Sequence, residues 1–295
     1  MSNTPGGRLT KNEKRELARE QARVLREQAR KKEKRNRILL QGGIIVGVLA
    51  VVAVIALVIV TSIRPPVPGP RNMASDGLLI QAGGEVLQTP GLAAGATPTP
   101  APTADDGEVL RIQTYVDFFC PICGAFEATN AAYIRQLVES GAASLEIIPV
   151  SFLDRVSLGT KYATRAMNAF ACVADGQPSA AWAFHDLLFQ NQPAEQTVGL
   201  SDDELVEFAR QAGAKSATVE SCIRDLAFGD WVEQSTDRST GSGITGTPTV
   251  FVNGQQYEGS VSDAATFRQF VASAQGAQFV EDNAATPTPT PTPTA

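Results

Sequence analysis

The sequence feature that most limits how this chain folds is an uncharged stretch from Ile38 to Ile63, bounded by Arg37 and Arg64. An α-helix rises about 1.5 Å per residue, so roughly 20 apolar residues cross the hydrocarbon core of a bilayer. Residues 38–63 are therefore predicted to form a single transmembrane helix that is retained as a signal anchor. A cleaved signal peptide is the alternative, and the long basic segment ahead of the stretch argues against it.

Charge predicts the orientation of this helix. Residues 1–37 contain 13 of the 25 lysines and arginines but only 5 of the 31 acidic residues. Because basic flanks stay on the cytoplasmic side, residues 1–37 are predicted to be a cytoplasmic tail and the chain from residue 64 onward to be extracytoplasmic. The tail is either a solvated topology signal or a helix that docks on a partner or on anionic lipid. The remainder of the chain is net acidic, which disfavours nucleic acid as a partner.

Two segments have the composition of spacers. Residues 64–107 contain eight prolines and are predicted to be an extended extracytoplasmic linker. Two apolar runs interrupt it, Leu78-Leu79-Ile80 and Val86-Leu87, and are expected to pack only weakly on the domain that follows. Residues 283–295 are predicted to be a low-complexity tail, because threonine alternates with proline from Thr286 to Thr294.

Residues 108–282 are long enough for one domain, and their hydrophobic pattern predicts an α/β fold. The expected strands are 109–116 and 144–150 with a hairpin of 249–252 and 256–259, and the expected helices are 124–139, 161–173, 180–190, 201–212, 216–228 and 262–271. Ser201 and Glu204 form a capping box, and Ser262 is expected to cap the last helix. The order is therefore β-α-β, a helical insertion of about 160–232, and β-β-α.

The sequence Cys120-Pro121-Ile122-Cys123 falls where the first strand meets the first helix. A thiol attacks as the thiolate, and the helix N-terminus favours an anion there. Pro121 suits a first helical turn, and Cys123 lies one turn on, within disulfide reach. A plain stabilising disulfide or half of a zinc site are the alternatives. A structural zinc site needs four ligands, and the chain has neither a second such motif nor a histidine besides His185. His185 is expected to have a helix-packing or hydrogen-bonding role, and a catalytic role is the alternative.

Together these segments resemble the DsbA-like thiol–disulfide oxidoreductases, which have a thioredoxin fold with a helical insertion, here in a membrane-anchored bacterial form. The resemblance rests on Tyr115 to Cys123 with Phe126, on Trp182 to His185 with Leu188-Phe189, and on Gly246 to Gly254. It covers nearly all of residues 108–275.

The resemblance implies a set of roles. Cys120 would be the exposed attacking sulfur and Cys123 the buried resolving one. Pro248 would form a cis peptide facing them, and Thr247 would offer backbone groups to an extended substrate. The redox-active disulfide would need no further cofactor and no metal. The partners would be exported proteins with cysteines, a membrane quinone-linked thiol oxidase, and the bilayer.

The chain departs from the family pattern at two positions. Ile122 stands where strongly oxidising members often have histidine, which predicts a milder oxidant. Thr114 stands where the family often has a buried acid that aids proton transfer. Asp117 and Glu127 are the nearest carboxylates that could replace it, and a solvated charge at the end of an element is the alternative for each.

Cys172 and Cys222 remain, and they lie in the helical block 50 residues apart. Cysteines of exported domains tend to pair, so a structural bridge is expected. An electron relay with Cys120 and Cys123, or two buried free thiols, are the alternatives.

The predicted function is oxidation of cysteine pairs in exported proteins. A disulfide reductase or isomerase of the same fold is one alternative. A non-catalytic binding module anchored at the cell surface, with an inert disulfide, is the other.

Overall fold

The computed structural model describes residues 11–62, 68–102 and 109–285. Predictions for residues 1–10, residues 63–67, residues 103–108 and the Thr-Pro repeat at 286–295 concern positions outside these residues. The chain divides into two compact units, Met1–Pro65 and Pro66–Ala295.

The first unit is one helix, α1 (Lys11–Ser62). The basic part of the tail and the apolar stretch therefore form a continuous helix. Its portion Arg23–Ile55 is long and apolar enough to cross a membrane, by length and composition alone.

The second unit is a mixed five-stranded sheet covered by helices. Its elements are β1 (Leu78–Ile80), β2 (Leu110–Val116), α2 (Pro121–Glu139), β3 (Ala143–Pro149), α3 (Tyr162–Gly176), α4 (Ala181–Gln190), α5 (Asp202–Ala212), α6 (Ala217–Arg224), α7 (Gly229–Gly241), β4 (Thr249–Val252), β5 (Gln255–Gln256) and α8 (Ala264–Ala285). Single 3-10 turns form at Asp154–Val156 and Pro178–Ala180. The strand order is β1-β3-β2-β4-β5.

The register of the sheet follows from the burial pattern. β2 pairs in parallel with β3, placing Ile112 opposite Leu145, and antiparallel with β4, placing Thr114 opposite Val250. Alternate residues of β2 are buried, which is the period-two pattern expected of a strand with one face on the core. β2 is therefore central, and its C-terminal end leads directly into the cysteine motif.

The predicted linker is corrected by the structure. Residues 68–102 belong to the second unit, and β1 pairs antiparallel with β3 through Leu78 and Ile80, both fully buried. The carboxylate of Asp76 accepts hydrogen bonds from Arg238 at 2.7 Å and from the indole N–H of Trp231 at 3.2 Å. The run that was expected to pack weakly thus covers the edge of β3, which would otherwise present unpaired backbone groups.

The helical insertion extends further than predicted. α7 runs to Gly241, beyond the expected end of the insertion near residue 232. The buried face of α7 consists of Trp231, Val232, Ser235 and Ser239. Because two of these buried positions are serines, the hydrophobic residues alone do not show the helical period in the second half of α7.

Capping was predicted correctly for one helix and wrongly for another. Ser201 and Glu204 form the expected reciprocal capping box at α5. At α8, Asp263 caps instead of Ser262, because its carboxylate accepts from the backbone N–H groups of Ala265 and Thr266 at 2.9 and 3.2 Å. α8 also continues past Val271 to Ala285, into the first residues assigned to the tail.

Candidate active site

Cys120 and Cys123 lie at the start of α2, directly after β2. Cys120 is the N-cap residue, in an extended conformation with φ −80° and ψ 114°, and Pro121 follows in the first turn. The missing N–H of proline costs nothing there, because the first N–H groups of a helix have no partner within it. Both sulfurs therefore lie at the end of the helix that favours negative charge.

The two cysteines differ in exposure. Both are thiols in this structure, and Cys120 keeps 6% of its surface exposed while Cys123 is fully buried. The expectation of an exposed Cys120 is thus corrected to a largely covered one, because the loop before β4 lies against it. The Cys120 thiol donates to the backbone carbonyl of Thr247 at 3.3 Å.

The pKa values of the two thiols are driven in opposite directions. A hydrogen bond from the Cys123 thiol, with the backbone N–H groups of Cys123 and Ile122, lowers the pKa of Cys120 to about 6. Burial and the same interaction with Cys120 raise the pKa of Cys123 well above its ordinary value. The arrangement is suited to a thiolate nucleophile at Cys120 backed by a protonated thiol at Cys123.

The loop before β4 carries the predicted proline geometry. The peptide bond between Thr247 and Pro248 is cis. The contact from Thr247 to Cys120 brings this loop and the cysteine motif together, although they are separated by more than 120 residues. Beside them the Ile122 side chain is 53% exposed and adds apolar surface next to the sulfurs.

Asp117 directly follows β2 and is fully buried. Its carboxylate accepts hydrogen bonds from the backbone N–H of Phe119 at 2.8 Å and of Leu153 at 3.0 Å. Burial raises the pKa of Asp117 to about 7, against the lowering effect of these bonds. A carboxyl that titrates near neutrality beside Cys120 is suited to proton transfer. Thr114, three residues earlier, is buried and carries no ionisable group.

Glu127 lies on α2 one turn beyond Cys123, facing α4 rather than solvent. Its carboxylate is 3.6 Å from the Nε2 of His185, and burial raises the pKa of Glu127. His185 packs among Phe118, Phe170 and Phe189, with ring centroids 5.9, 6.3 and 5.0 Å away. Within the part of the chain that the structure describes, neither ring nitrogen makes a hydrogen bond, although the carboxylate of Asp186 lies 3.5 Å from Nδ1. The ring contacts agree with a packing role for His185.

Gln192 is a site residue that sequence reasoning missed. It follows α4, and its side-chain amide donates to the backbone carbonyls of Phe118 at 3.1 Å and Cys120 at 2.9 Å. Side chain-to-backbone bonds over more than 70 residues leave no spacing signal in a sequence. The one local trace is Gly124, a glycine inside a helical pattern, where Gln192 approaches closely.

The remaining cysteines are joined to each other. Cys172 on α3 and Cys222 on α6 form a disulfide with a Cα–Cα distance of 5.8 Å. Among the described residues, no group of three or more His, Cys, Asp or Glu side chains is placed to hold a metal ion.

The low pKa of Cys120 predicts a distinctive pH dependence of alkylation. In the reduced protein, the rate at Cys120 is expected to rise with pH around a midpoint of about 6 and to level off above neutrality. An ordinary cysteine, with a pKa of about 8.5, would still be accelerating there. Iodoacetamide labelling followed by mass spectrometry measures this. Cys123→Ala is the matched variant, since it removes the main cause of the shift and should move the midpoint upward. A midpoint near 8.5 in the unmodified protein would contradict the prediction.

A central β-α-β unit, a helical insertion, and a cysteine pair at the start of the first helix define a thioredoxin-like fold. A protein-family model described as Thioredoxin matches residues 109–272. The chain belongs to this thioredoxin family. The predicted fold class is confirmed, as is the predicted resemblance to DsbA-like proteins.

Two solved structures are similar to this chain. The reduced disulfide bond oxidoreductase DsbG of Mycobacterium tuberculosis superposes with a TM-score of 0.53 at 28% identity, over 72% of this chain and 95% of its own. Oxidised BdbD of Bacillus subtilis, at 18% identity and a TM-score of 0.53 over 72% of this chain and all of its own, supports the fold alone.

Curated sequences match over a shorter region. Disulfide bond formation protein D of Bacillus subtilis is 25% identical over 151 residues, which are 50% of this chain and 65% of that protein. The serine/threonine-protein kinase PknE of Mycobacterium tuberculosis is 32% identical over 150 residues, 47% of this chain. The matched region covers 26% of the length of that kinase, so this chain corresponds to only about a quarter of it.

Proposed function

We propose that this protein is a membrane-anchored, extracytoplasmic thiol–disulfide oxidoreductase that oxidises cysteine pairs of exported proteins through Cys120 and Cys123. The observation that carries the proposal is the cysteine pair at the start of α2, where Cys120 contacts the Thr247 carbonyl at 3.3 Å and the pKa values of the two thiols are driven apart. The names of DsbG and of disulfide bond formation protein D support the same activity class.

The proposed cycle starts with the Cys120–Cys123 disulfide. A substrate thiolate attacks the sulfur of Cys120, and a mixed disulfide forms while the sulfur of Cys123 leaves. Cys123 takes up a proton because its pKa is raised, and Asp117 is the nearby carboxyl suited to supply it. The second substrate thiolate then attacks the substrate sulfur of the mixed disulfide, and Cys120 leaves as a thiolate. Two electrons pass from the substrate dithiol to the protein, which ends with Cys120 as a thiolate and Cys123 as a thiol.

The low pKa of Cys120 favours this direction of electron flow. A thiolate of low pKa is a good leaving group in the second step. A folded-state pKa below the unfolded value also stabilises the reduced protein, an effect that grows as the pH rises above about 6 and is lost below it. A stabilised reduced form makes the disulfide a stronger oxidant. A membrane quinone-linked thiol oxidase is the proposed partner that restores the disulfide.

The reduction potential of Cys120–Cys123 tests the direction. For the full chain in detergent, equilibrated in glutathione buffers and counted for thiols by mass spectrometry, we expect a value of about −120 to −180 mV. Ile122→His is the matched variant, expected to raise the potential because an imidazole stabilises the thiolate and isoleucine does not. A value near that of thioredoxin, about −270 mV, would instead identify a reductase. A pair that stays unreduced in mild reductant would identify an inert disulfide and a binding module.

We propose that α1 is the anchor and that residues 1–37 remain in the cytoplasm. The long apolar portion of α1 and the excess of basic residues ahead of it support this topology. Full-length protein is expected to stay in the membrane pellet after carbonate extraction, whereas a chain lacking residues 1–65 is expected in the supernatant. Release of the full-length protein by carbonate would contradict an integral anchor.

A further inference from the structure

We infer that Gln192 is a positioning residue that holds Cys120 in its reactive geometry. The inference rests on the proposed function of Cys120, and it concerns how the helical insertion contributes to that site. Gln192 lies just after α4, so the insertion supplies the contact. Its amide nitrogen donates to the carbonyls of Phe118 and Cys120, at 3.1 and 2.9 Å.

The turn that presents Cys120 is held from two sides. On one side, the carboxylate of Asp117 accepts a hydrogen bond from the backbone N–H of Phe119 at 2.8 Å. On the other side, the side-chain amide of Gln192 donates to the backbone carbonyls of Phe118 and Cys120. The Cys120 carbonyl also accepts from the N–H of Gly124 at 3.1 Å, the first bond of α2. The Cys120 carbonyl thus accepts from both Gln192 and Gly124, and this shared acceptor links the Gln192 side chain to the first turn of α2.

This junction determines where the sulfur of Cys120 lies. The backbone N–H groups of Ile122 and Cys123 lower the pKa of Cys120 only while the first turn of α2 keeps its geometry. Pro121 has no N–H, so the turn cannot replace a lost bond with one of its own. Loss of the Gln192 amide would leave the Phe118 carbonyl without this donor and loosen the turn at Cys120.

The absence of a side chain at Gly124 leaves the space that the Gln192 amide occupies. A Cβ atom on residue 124 would overlap the side-chain oxygen of Gln192. Gly124 is thus required for the Gln192 amide to sit where it does, although glycine weakens a helix relative to alanine. Gly124→Ala should displace the flexible Gln192 side chain while leaving α2 intact.

The test compares four variants of the full chain in detergent: Gln192→Ala, Gln192→Glu, Gly124→Ala, and Gln192→Ala combined with Gly124→Ala. The readouts are the alkylation midpoint of Cys120, kcat/KM for oxidation of a dithiol peptide, and Tm. Gln192→Ala should raise the midpoint and lower kcat/KM by roughly 3- to 10-fold, the loss expected for one or two hydrogen bonds. Gln192→Glu should lose at least as much, because a carboxylate cannot donate. The exposed Gln190 gives the matched control, Gln190→Ala, which should match the unmodified protein.

Gly124→Ala separates positioning from folding. It should lower kcat/KM and raise the alkylation midpoint without lowering Tm, because alanine favours the helix. Added to Gln192→Ala, it should cause no further loss, since both act through the same amide. The inference is overturned if Gln192→Ala or Gln192→Glu keeps the midpoint and rate of the unmodified protein, or if the two losses multiply. The alkylation readout needs no turnover, so an inactive parent protein would count against the proposed function while Gln192 is still tested.

Discussion

Cys120→Ser is expected to abolish oxidation of dithiol substrates, lowering turnover by at least about a thousandfold. A serine hydroxyl stays protonated near neutral pH and can neither form the disulfide nor leave as a stable anion. The fold should survive, because the change replaces a single sulfur atom by a smaller oxygen and leaves the rest of the side chain in place. Peptide oxidation in a glutathione buffer measures the effect, and retained turnover in this variant would refute the assignment of Cys120.

Cys123→Ala is expected to behave differently. In a glutathione buffer, oxidised glutathione can cap Cys120 of this variant, and a substrate thiolate that displaces the glutathione forms a mixed disulfide with Cys120. The neighbouring thiol of residue 123, which would otherwise displace the substrate, is gone. Covalent complexes between this variant and exported proteins should accumulate and be visible on non-reducing gels, and dithiothreitol should release them. Cys120→Ser with Cys123→Ala is the control and should trap nothing. Complexes that persist in the double variant would place the reactive thiol elsewhere.

The sequence was informative where function depends on neighbouring residues. The spacing of Cys120 and Cys123 and the strand that ends before them are local, so a periodicity argument places both cysteines at the start of a helix. The role expected of Pro248 came through resemblance to a family, and no local pattern distinguishes its cis peptide from the commoner trans form. Asp117 was a candidate by proximity, and only the fold buries it.

The features that the sequence concealed depend on distant contacts. β1 has three residues, too few for a period, and its stability comes from pairing with β3 and from the bond between Asp76 and Arg238. Gln192 acts on backbone carbonyls, which every residue has, so no residue type at its target marks the contact. Both are consequences of tertiary packing that a single segment does not contain.

The disulfide between Cys172 and Cys222 gives the prediction with the largest effect on stability. It joins α3 to α6 and closes a loop across a separation of 50 residues. On the chain-entropy model, a bridge of this span stabilises a fold by roughly 4 kcal/mol, and often by less. Cys172→Ala with Cys222→Ala is therefore expected to lower the free energy of unfolding by about 2–4 kcal/mol. Guanidinium unfolding of the oxidised proteins measures the difference, and a change below about 0.5 kcal/mol would contradict a stabilising role.

The same double variant separates a structural bridge from an electron relay. The proposed cycle needs only the two thiols of Cys120 and Cys123, so turnover measured well below the unfolding transition should stay within about twofold of the unmodified protein. A relay would pass electrons through Cys172 and Cys222, and its loss would block re-oxidation while leaving the first turnover intact. A burst of one oxidised substrate per protein followed by arrest would therefore identify the relay. Sustained turnover together with lowered stability would assign the pair to holding α3 and α6 together.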